Sequence, residues 1–114
     1  MAKCFLCGRN GTADPLDEHH IFGGANRKKS EKYKLKVKLC HFRCHEFGEK
    51  AAHRNAETAD FLHKFGQVKA MVEQGWSVED FRLEIGRNFL DDPEHPEAEI
   101  EYYSQFIGEE GEDD

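Results

Sequence analysis

Apolar residues recur at helical spacing over one long stretch of this chain. Phe61, Leu62, Phe65, Val68 and Val72 fall on one face of an amphipathic helix. Asn55 supplies an N-cap in front of it and Gly75 a C-terminal stop, so the pattern predicts a helix running to about Gln74. Ser77 followed by Asp80 is a capping-box pattern, which predicts a second helix to about Leu90, ended by Asp91, Pro93 and Pro96. Period-two patterning appears earlier. From Lys34 to Leu39 lysines alternate with Leu, Val and Leu, which predicts a half-buried strand with Lys34, Lys36 and Lys38 on its polar face. Glu18 to Phe22 predicts a shorter strand, ended by Gly23-Gly24. These glycines open a loop that carries Arg27, Lys28 and Lys29, and Ser30 is placed to cap a single turn through Tyr33. Cys4 to Gly8 predicts a tight turn in which Gly8 supplies a positive φ, and Asn10, Gly11, Asp14 and Pro15 mark a loop. Cys40 to His45 predicts a turn into a short helix, and a loop over 48–54 carries His53. The elements amount to an α+β domain over residues 1–90. Residues 91–114 are acidic with few apolar positions, which predicts a largely disordered tail with a weak turn around Ile100 to Phe106.

Composition sharpens this picture. Hydrophobic residues are 38% of the 114 and charged residues 34%, so a core this small calls for a staple such as a metal or a partner. No apolar run is long enough to span a membrane. Met1-Ala2-Lys3-Cys4 leads directly into cysteine chemistry rather than a signal peptide, which predicts a cytoplasmic location. Thiols stay reduced there, so four cysteines point to metal rather than to disulfides. The net charge of −7 is unevenly spread: residues 1–55 hold 12 Lys or Arg against 6 acids, residues 56–114 hold 4 against 17. The front half is a basic module suited to nucleic acid, and the end is an acidic tail.

The cysteines fall in two close pairs, Cys4-x2-Cys7 and Cys40-x3-Cys44. Two such pairs can converge on one tetrahedral Zn²⁺. The second pair is spaced by three residues, so His41, which stands two residues before Cys44, competes with Cys40 as the fourth ligand. Histidines gather around the same pairs. His19 and His20 sit together on the first strand, His45 follows the second cysteine pair, and His53 lies eight residues further on. Neutral imidazoles are common ligands of catalytic divalent metals, and a histidine near its reference pKa suits a general base at neutral pH. Arg27, Lys28 and Lys29, with Lys36 and Lys38 of the second strand, suit contacts to a phosphate backbone. The remaining histidines, His41, His63 and His95, read as surface or packing residues. Each feature also has a plainer use. His45 would serve as an outer partner of the zinc site, His53 would merely precede a helix cap, and the lysine face would be a solvated edge.

The order Cys-x2-Cys, Glu18-His19-His20-Ile21, a basic loop, then Leu39-Cys40-x3-Cys44-His45 resembles the HNH endonuclease family. The run His19-His20-Ile21-Phe22-Gly23-Gly24-Ala25-Asn26-Arg27-Lys28-Lys29-Ser30, with His53-Arg54-Asn55 and Gly86-Arg87-Asn88-Phe89-Leu90, looks like small HNH-type proteins of phages and prophages. The resemblance spans roughly residues 4 to 90. It implies a ββα-metal (His-Me finger) core with a zinc knuckle, followed by two helices. It implies His20 as the general base, His19 and His45 as ligands of a catalytic metal, with His53 as a third, and Cys4, Cys7, Cys40 and Cys44 as a structural zinc site. The chain departs from the family pattern at Leu35, where an Asn often braces the loop, and in the x3 spacing of the second cysteine pair.

Three readings follow. The first is a divalent-metal endonuclease, using Mg²⁺, Mn²⁺ or Zn²⁺, that hydrolyses DNA phosphodiesters, with a phage replication or recombination protein as a possible partner. The second, which Leu35 favours, is a non-catalytic zinc-knuckle module that grips nucleic acid or a phage replication or recombination protein without cleaving. The third is an interaction protein whose acidic tail docks on a basic partner or shields the basic site.

Overall fold

In a computed structural model, which describes residues 3–46, 48–49 and 51–109, two short strands and four helices surround one core. Strand β1 (Leu16–His20) pairs antiparallel with β2 (Lys36–Cys40), with Leu16 opposite Cys40, His19 opposite Val37 and His20 opposite Lys36. β1 lies two residues earlier than the sequence expectation, and β2 starts two residues and ends one residue later than expected. Ile21 N–H still donates to the Leu35 carbonyl at 3.0 Å, and Ile21 and Phe22 then turn into the core, where they are 2% and 3% exposed. Lys34 is not a strand residue either. It takes φ 58, the one positive φ outside glycine among the described residues, to turn the chain into β2.

The segment between the strands is a single 3₁₀ turn (Gly24–Asn26) running into helix α1 (Arg27–Lys32). Ser30 does not cap this helix. It is fully buried within it, where its hydroxyl donates to the Phe22 carbonyl at 2.7 Å and accepts from the Phe22 N–H at 3.0 Å. That reciprocal pair closes the exit of β1 onto α1. The other end of the connection is held by Leu35 N–H donating to the Ser30 carbonyl. Asn26 and Lys29 reach across to the Ile85 and Glu84 carbonyls.

Beyond β2 the chain makes a wide π-type turn (His41–Glu46). Asp14 satisfies its first two free N–H groups, accepting from Phe42 at 2.9 Å and Arg43 at 3.0 Å. Helix α2 (Ala56–Gln74) has the expected ends: Asn55 accepts from Thr58 N–H, and Gly75 is left-handed at φ 71. Helix α3 (Val78–Ile85) opens on the full Ser77/Asp80 capping box. It stops at Gly86, short of Leu90, because φ 112 there ends the helical path. The acidic segment departs furthest from expectation. Helix α4 (Glu97–Ser104) packs on α2 through Tyr103, whose ring lies 5.6 Å from that of Phe61, and the following Phe106 reaches Phe61 and Phe5. The Glu99 carboxylate also accepts from the N–H groups of Asp91 and Asp92, and Lys64 pairs with Asp91. A few apolar residues at the right spacing outweigh the acidic average. Residues 110–114 of the expected tail lie outside the described residues.

Leu35, Val37 and Leu39 of the second-strand region, Leu62, Phe65 and Val68 of α2, and Phe81 of α3 form the centre of the core, none more than 1% exposed. Val72, predicted on the same apolar face, is half exposed. The buried amide of Gln67 donates to Asn88 Oδ1 and accepts from Phe89 N–H, pinning the segment after α3 against α2. No helix among the described residues is long and apolar enough to cross a membrane.

Gly66 sets how closely α2 approaches the exit of β1. A Cβ there would lie 2.7 Å from Ile21 Cγ2 and 3.0 Å from Phe22 Cε2. Helix propensity alone favours Ala over Gly by about 1 kcal/mol, whereas overpacking a tight core costs about 1–3 kcal/mol. Gly66→Ala is therefore expected to lower the urea midpoint. A raised midpoint would show that the contact relaxes freely.

Candidate metal centres

The four cysteines come from two turns that the backbone brings together. The Cys4–Gly8 turn closes with Gly8 N–H donating to the Cys4 carbonyl, and Phe5 N–H donates to the Lys38 carbonyl, laying the turn beside β2. Cys40 ends β2 and Cys44 lies in the π-type turn. The four sulfurs lie within 4.8 Å of one another. Cys7 Sγ and Cys40 Sγ are 3.5 Å apart. A disulfide needs about 2.05 Å, whereas two sulfurs about 2.3 Å from one tetrahedral ion sit about 3.8 Å apart. All four are free thiols, and the donor set suits zinc. His41 is excluded from it, because its Nδ1 turns to Asp17 at 2.5 Å; Cys40 is the fourth member of the cluster. The thiols also differ from one another without a cation. Burial would raise Cys7, yet hydrogen bonds from the Arg9 backbone and side chain bring it down to about 6. Burial pushes Cys40 up to about 12, and Cys44 upward as well. A central dication removes that opposition by favouring all four thiolates.

The second constellation is built by strand alternation. Asp17 and His19 share one face of β1, Glu18 and His20 the other. On the first face His19 meets His45 and His53, whose ring centroids lie 5.0 and 5.3 Å from its own. His45 is positioned as the residue after Cys44. His53 is brought back to it by two backbone bonds, Ala52 N–H to the Cys44 carbonyl and His53 N–H to the His45 carbonyl. Ala51 and Ala52 are buried and anchor that loop. His45 Nε2 and His53 Nε2 are 3.0 Å apart. Two nitrogens about 2.1 Å from one ion, at angles of about 90–110°, lie about 3.0–3.4 Å apart, so the pair fits a common cation. Burial, with the neighbouring His45 and His53, lowers His19 to about 3, which keeps its imidazole neutral.

Asp17 completes this centre, and the sequence reading did not single it out. Its Oδ2 accepts from Nδ1 of His45 at 2.9 Å and from Nδ1 of His41. A carboxylate on Nδ1 fixes the tautomer of His45 and leaves Nε2 with its lone pair toward His53 and His19. Burial acts to raise the Asp17 carboxyl, but its bonds to His45 and His41 hold it below the usual range, and Asp17 in turn raises His41.

A cavity of about 230 Å³ opens beside the three rings, lined by His19, His20 and Gly23 from the hairpin, His53 from the loop, and Leu62 and His63 from α2. His20 thus reaches the same cavity around the end of β1 although it points to the opposite face. Its Nε2 contacts Glu31 Oε1 at 3.0 Å. His63 is more than a packing residue: it lines the cavity, with its ring stacked at 14° on Phe22 and 4.6 Å from Phe89. Burial, then the nearby Arg87, lowers its pKa. His95 is exposed and remote from these contacts among the described residues.

The basic residues divide. Arg27 and Lys28 are exposed on α1, and Lys38 stands opposite Glu18 in the ladder. Lys29 and Lys36 are instead committed to carboxylates. Lys29 pairs with Glu84 at 3.6 Å, and Lys36 pairs with Glu31 at 2.6 Å and Glu18 at 3.2 Å with its side chain only 15% exposed. Both of these lysines, expected at a phosphate backbone, therefore also have carboxylate partners, on α1, α3 and β1.

No family profile, curated protein or solved structure matches this chain.

Two outcomes test the centres. The purified chain is expected to hold one tightly bound zinc. Cys44→Ser should lose both the metal and the cooperative thermal transition, since structural zinc supplies folding free energy directly. An unchanged melt in the variant and in excess chelator would rule out the staple. For the histidine centre, Asp17→Asn should weaken a second, Mn²⁺-titrated site about 10–100-fold while the first zinc is retained; equal affinity by calorimetry would remove Asp17 from the site.

Proposed function

We propose that this chain is a divalent-metal-dependent endonuclease of the HNH kind, hydrolysing phosphodiester bonds in DNA. The observation that carries the reading is the convergence of His19, His45 and His53 on one point, with His20 at the edge of the same cavity. Three imidazoles, one of them backed by a carboxylate, are a ligand set for a catalytic divalent ion with open positions. Such an ion, when bound, neutralises charge on the scissile phosphate and on the leaving 3′ oxygen. His20 accepts the proton of the attacking water. The cavity has room for a phosphate group beside the imidazoles, which puts recognition on the backbone. Arg27 and Lys28, exposed on α1 beside the Gly23-Gly24 turn, hold that backbone, which gives little base specificity and a steep dependence on salt. The cysteine-held zinc is structural and takes no part in the reaction. The same reading puts the protein in a bacterial or phage-infected cytoplasm, with phage replication or recombination proteins as its partners.

Leu35 supports the non-catalytic alternative, because it is wholly buried where relatives with a bracing Asn would have a polar group. One assay separates the two. Supercoiled plasmid should be nicked with Mn²⁺ or Mg²⁺ and not with EDTA, and His20→Ala should reduce the rate about 10²–10⁴-fold without loss of DNA binding. DNA binding with no nicking under any metal would leave the binding module; nicking unchanged in His20→Ala would remove His20 as the base.

A further inference from the structure

We propose that Glu31 is the positioning residue for His20: its carboxylate fixes the imidazole with the proton on Nε2 and the lone pair on Nδ1, a role that rests on the nuclease reading above. Glu31 Oε1 lies 3.0 Å from His20 Nε2. An ionised carboxylate only accepts hydrogen bonds, so the ring nitrogen facing it must donate. Of the neutral tautomers, only the one with the hydrogen on Nε2 satisfies that contact. Nδ1 then holds the free electron pair, as a general base requires.

The carboxylate is itself held on both sides. Its second oxygen, Oε2, accepts from Lys36 Nζ at 2.6 Å, and Lys36 stands directly opposite His20 in the ladder. Lys36 is shared with Glu18 on the same strand face. The helix that carries Glu31 is fastened at several points. Ser30 is locked to Phe22, Leu35 N–H donates to the Ser30 carbonyl, and Lys34 N–H donates to the Glu31 carbonyl. The imidazole of His20 has little freedom of its own, its side chain being 8% exposed. A half-exposed glutamate on a free loop would be a weak guide. Glu31 is gripped by a mostly buried lysine and mounted on a pinned helix turn.

This assignment answers what orients the base in a chain whose position 35 is an apolar core residue. Leu35 offers no polar group, and the bracing comes instead from Glu31, four residues upstream on α1. It also explains why Lys36 is withdrawn from solvent: its partner is Glu31. When His20 takes the proton of the attacking water on Nδ1, the O–H bond of water breaks and the ring becomes an imidazolium. Glu31 stays ionised and faces that new charge.

The test uses the full chain with its zinc, as wild type, Glu31→Ala and Glu31→Gln. Two measurements are read on each. The first is the tautomer of His20 by long-range ¹H–¹⁵N correlation of the ring. The second is plasmid nicking with Mn²⁺, separated into kcat and KM. In wild type the ring is expected as the Nε2–H tautomer. Glu31→Ala should give a mixed or Nδ1–H ring and lower kcat on the order of 10²-fold with KM unchanged. Glu31→Gln keeps an acceptor oxygen, so it should retain the Nε2–H ring and recover part of kcat. An Nε2–H ring that persists in Glu31→Ala with kcat unchanged overturns the proposal. So does loss of kcat in Glu31→Gln equal to that in Glu31→Ala, with the tautomer unaltered in both. Should Glu31→Ala fail to fold, the Gln variant alone decides on the same two readings. Absence of nicking in wild type, with a tautomer that still depends on Glu31, defeats the nuclease reading and leaves the ring-orienting contact standing.

Discussion

The convergence of four thiols from two distant turns is the constraint on which the remaining geometry hangs. A pair of five-residue strands is marginal in water by itself. Here its far end carries Cys40, and Cys44 follows within a wide turn. Bringing Cys4 and Cys7 against them fastens residues 4–9 alongside β2 and fixes the path of that turn. The next residue after Cys44 is His45, so a cation held by the four sulfurs would also set where the first imidazole of the second centre stands. The two centres are coupled through one peptide unit, and loss of the first would dissolve the second without any direct contact between them.

The alternation of β1 then lets one short strand serve two kinds of chemistry. Asp17 and His19 face the three-imidazole centre, where the groups are acceptors and lone pairs. Glu18 and His20 face Glu31 and Lys36, where charges are paired and a proton has a defined seat. Opposite faces of a pleated strand keep the two networks from competing for the same hydrogen bonds. They meet only at the strand's end, where Ile21 and Phe22 drop into the core and a cavity opens that both histidines line. The tight approach of Gly66 to that exit is what allows α2 to form the cavity's other wall.

Much of this was legible from local signals. The caps of α2 and α3, the close spacing within each cysteine pair and the alternation within each strand are set by residues within a few positions of each other, and they mark which segments and histidines to bring together. What escaped was non-local. Asp17 meets a partner 28 residues away and Glu31 one 11 residues away, and neither glutamate nor aspartate carries a pattern that announces it. Ser30 looked like a cap because serine before a short turn commonly is one; its real partner is Phe22, eight residues earlier. The carboxylate partners of Lys29 and Lys36 were hidden because composition counts charge and does not pair it. Helix α4 was hidden in the same way, by an acidic average that masked Ile100, Tyr103 and Phe106.

That last correction bears on what the acidic segment does. Tyr103 and Phe106 pack against Phe61 and Phe5, whereas the cavity is walled by Leu62 and His63. Phe61 and His63 are two residues apart on α2 and so point to nearly opposite sides of it. Helix α4 therefore covers the flank of α2 away from the histidines, and its packing there is apolar rather than electrostatic. A lid over the basic surface would need those aromatic contacts to come apart. With them in place, the acids of α4 act on an approaching polyanion only through space, across a helix diameter of about 10 Å that is already comparable to the screening length of about 8 Å at physiological salt. The helix is thus first a cover for one side of α2, and its charge adds at most a weak, salt-sensitive repulsion.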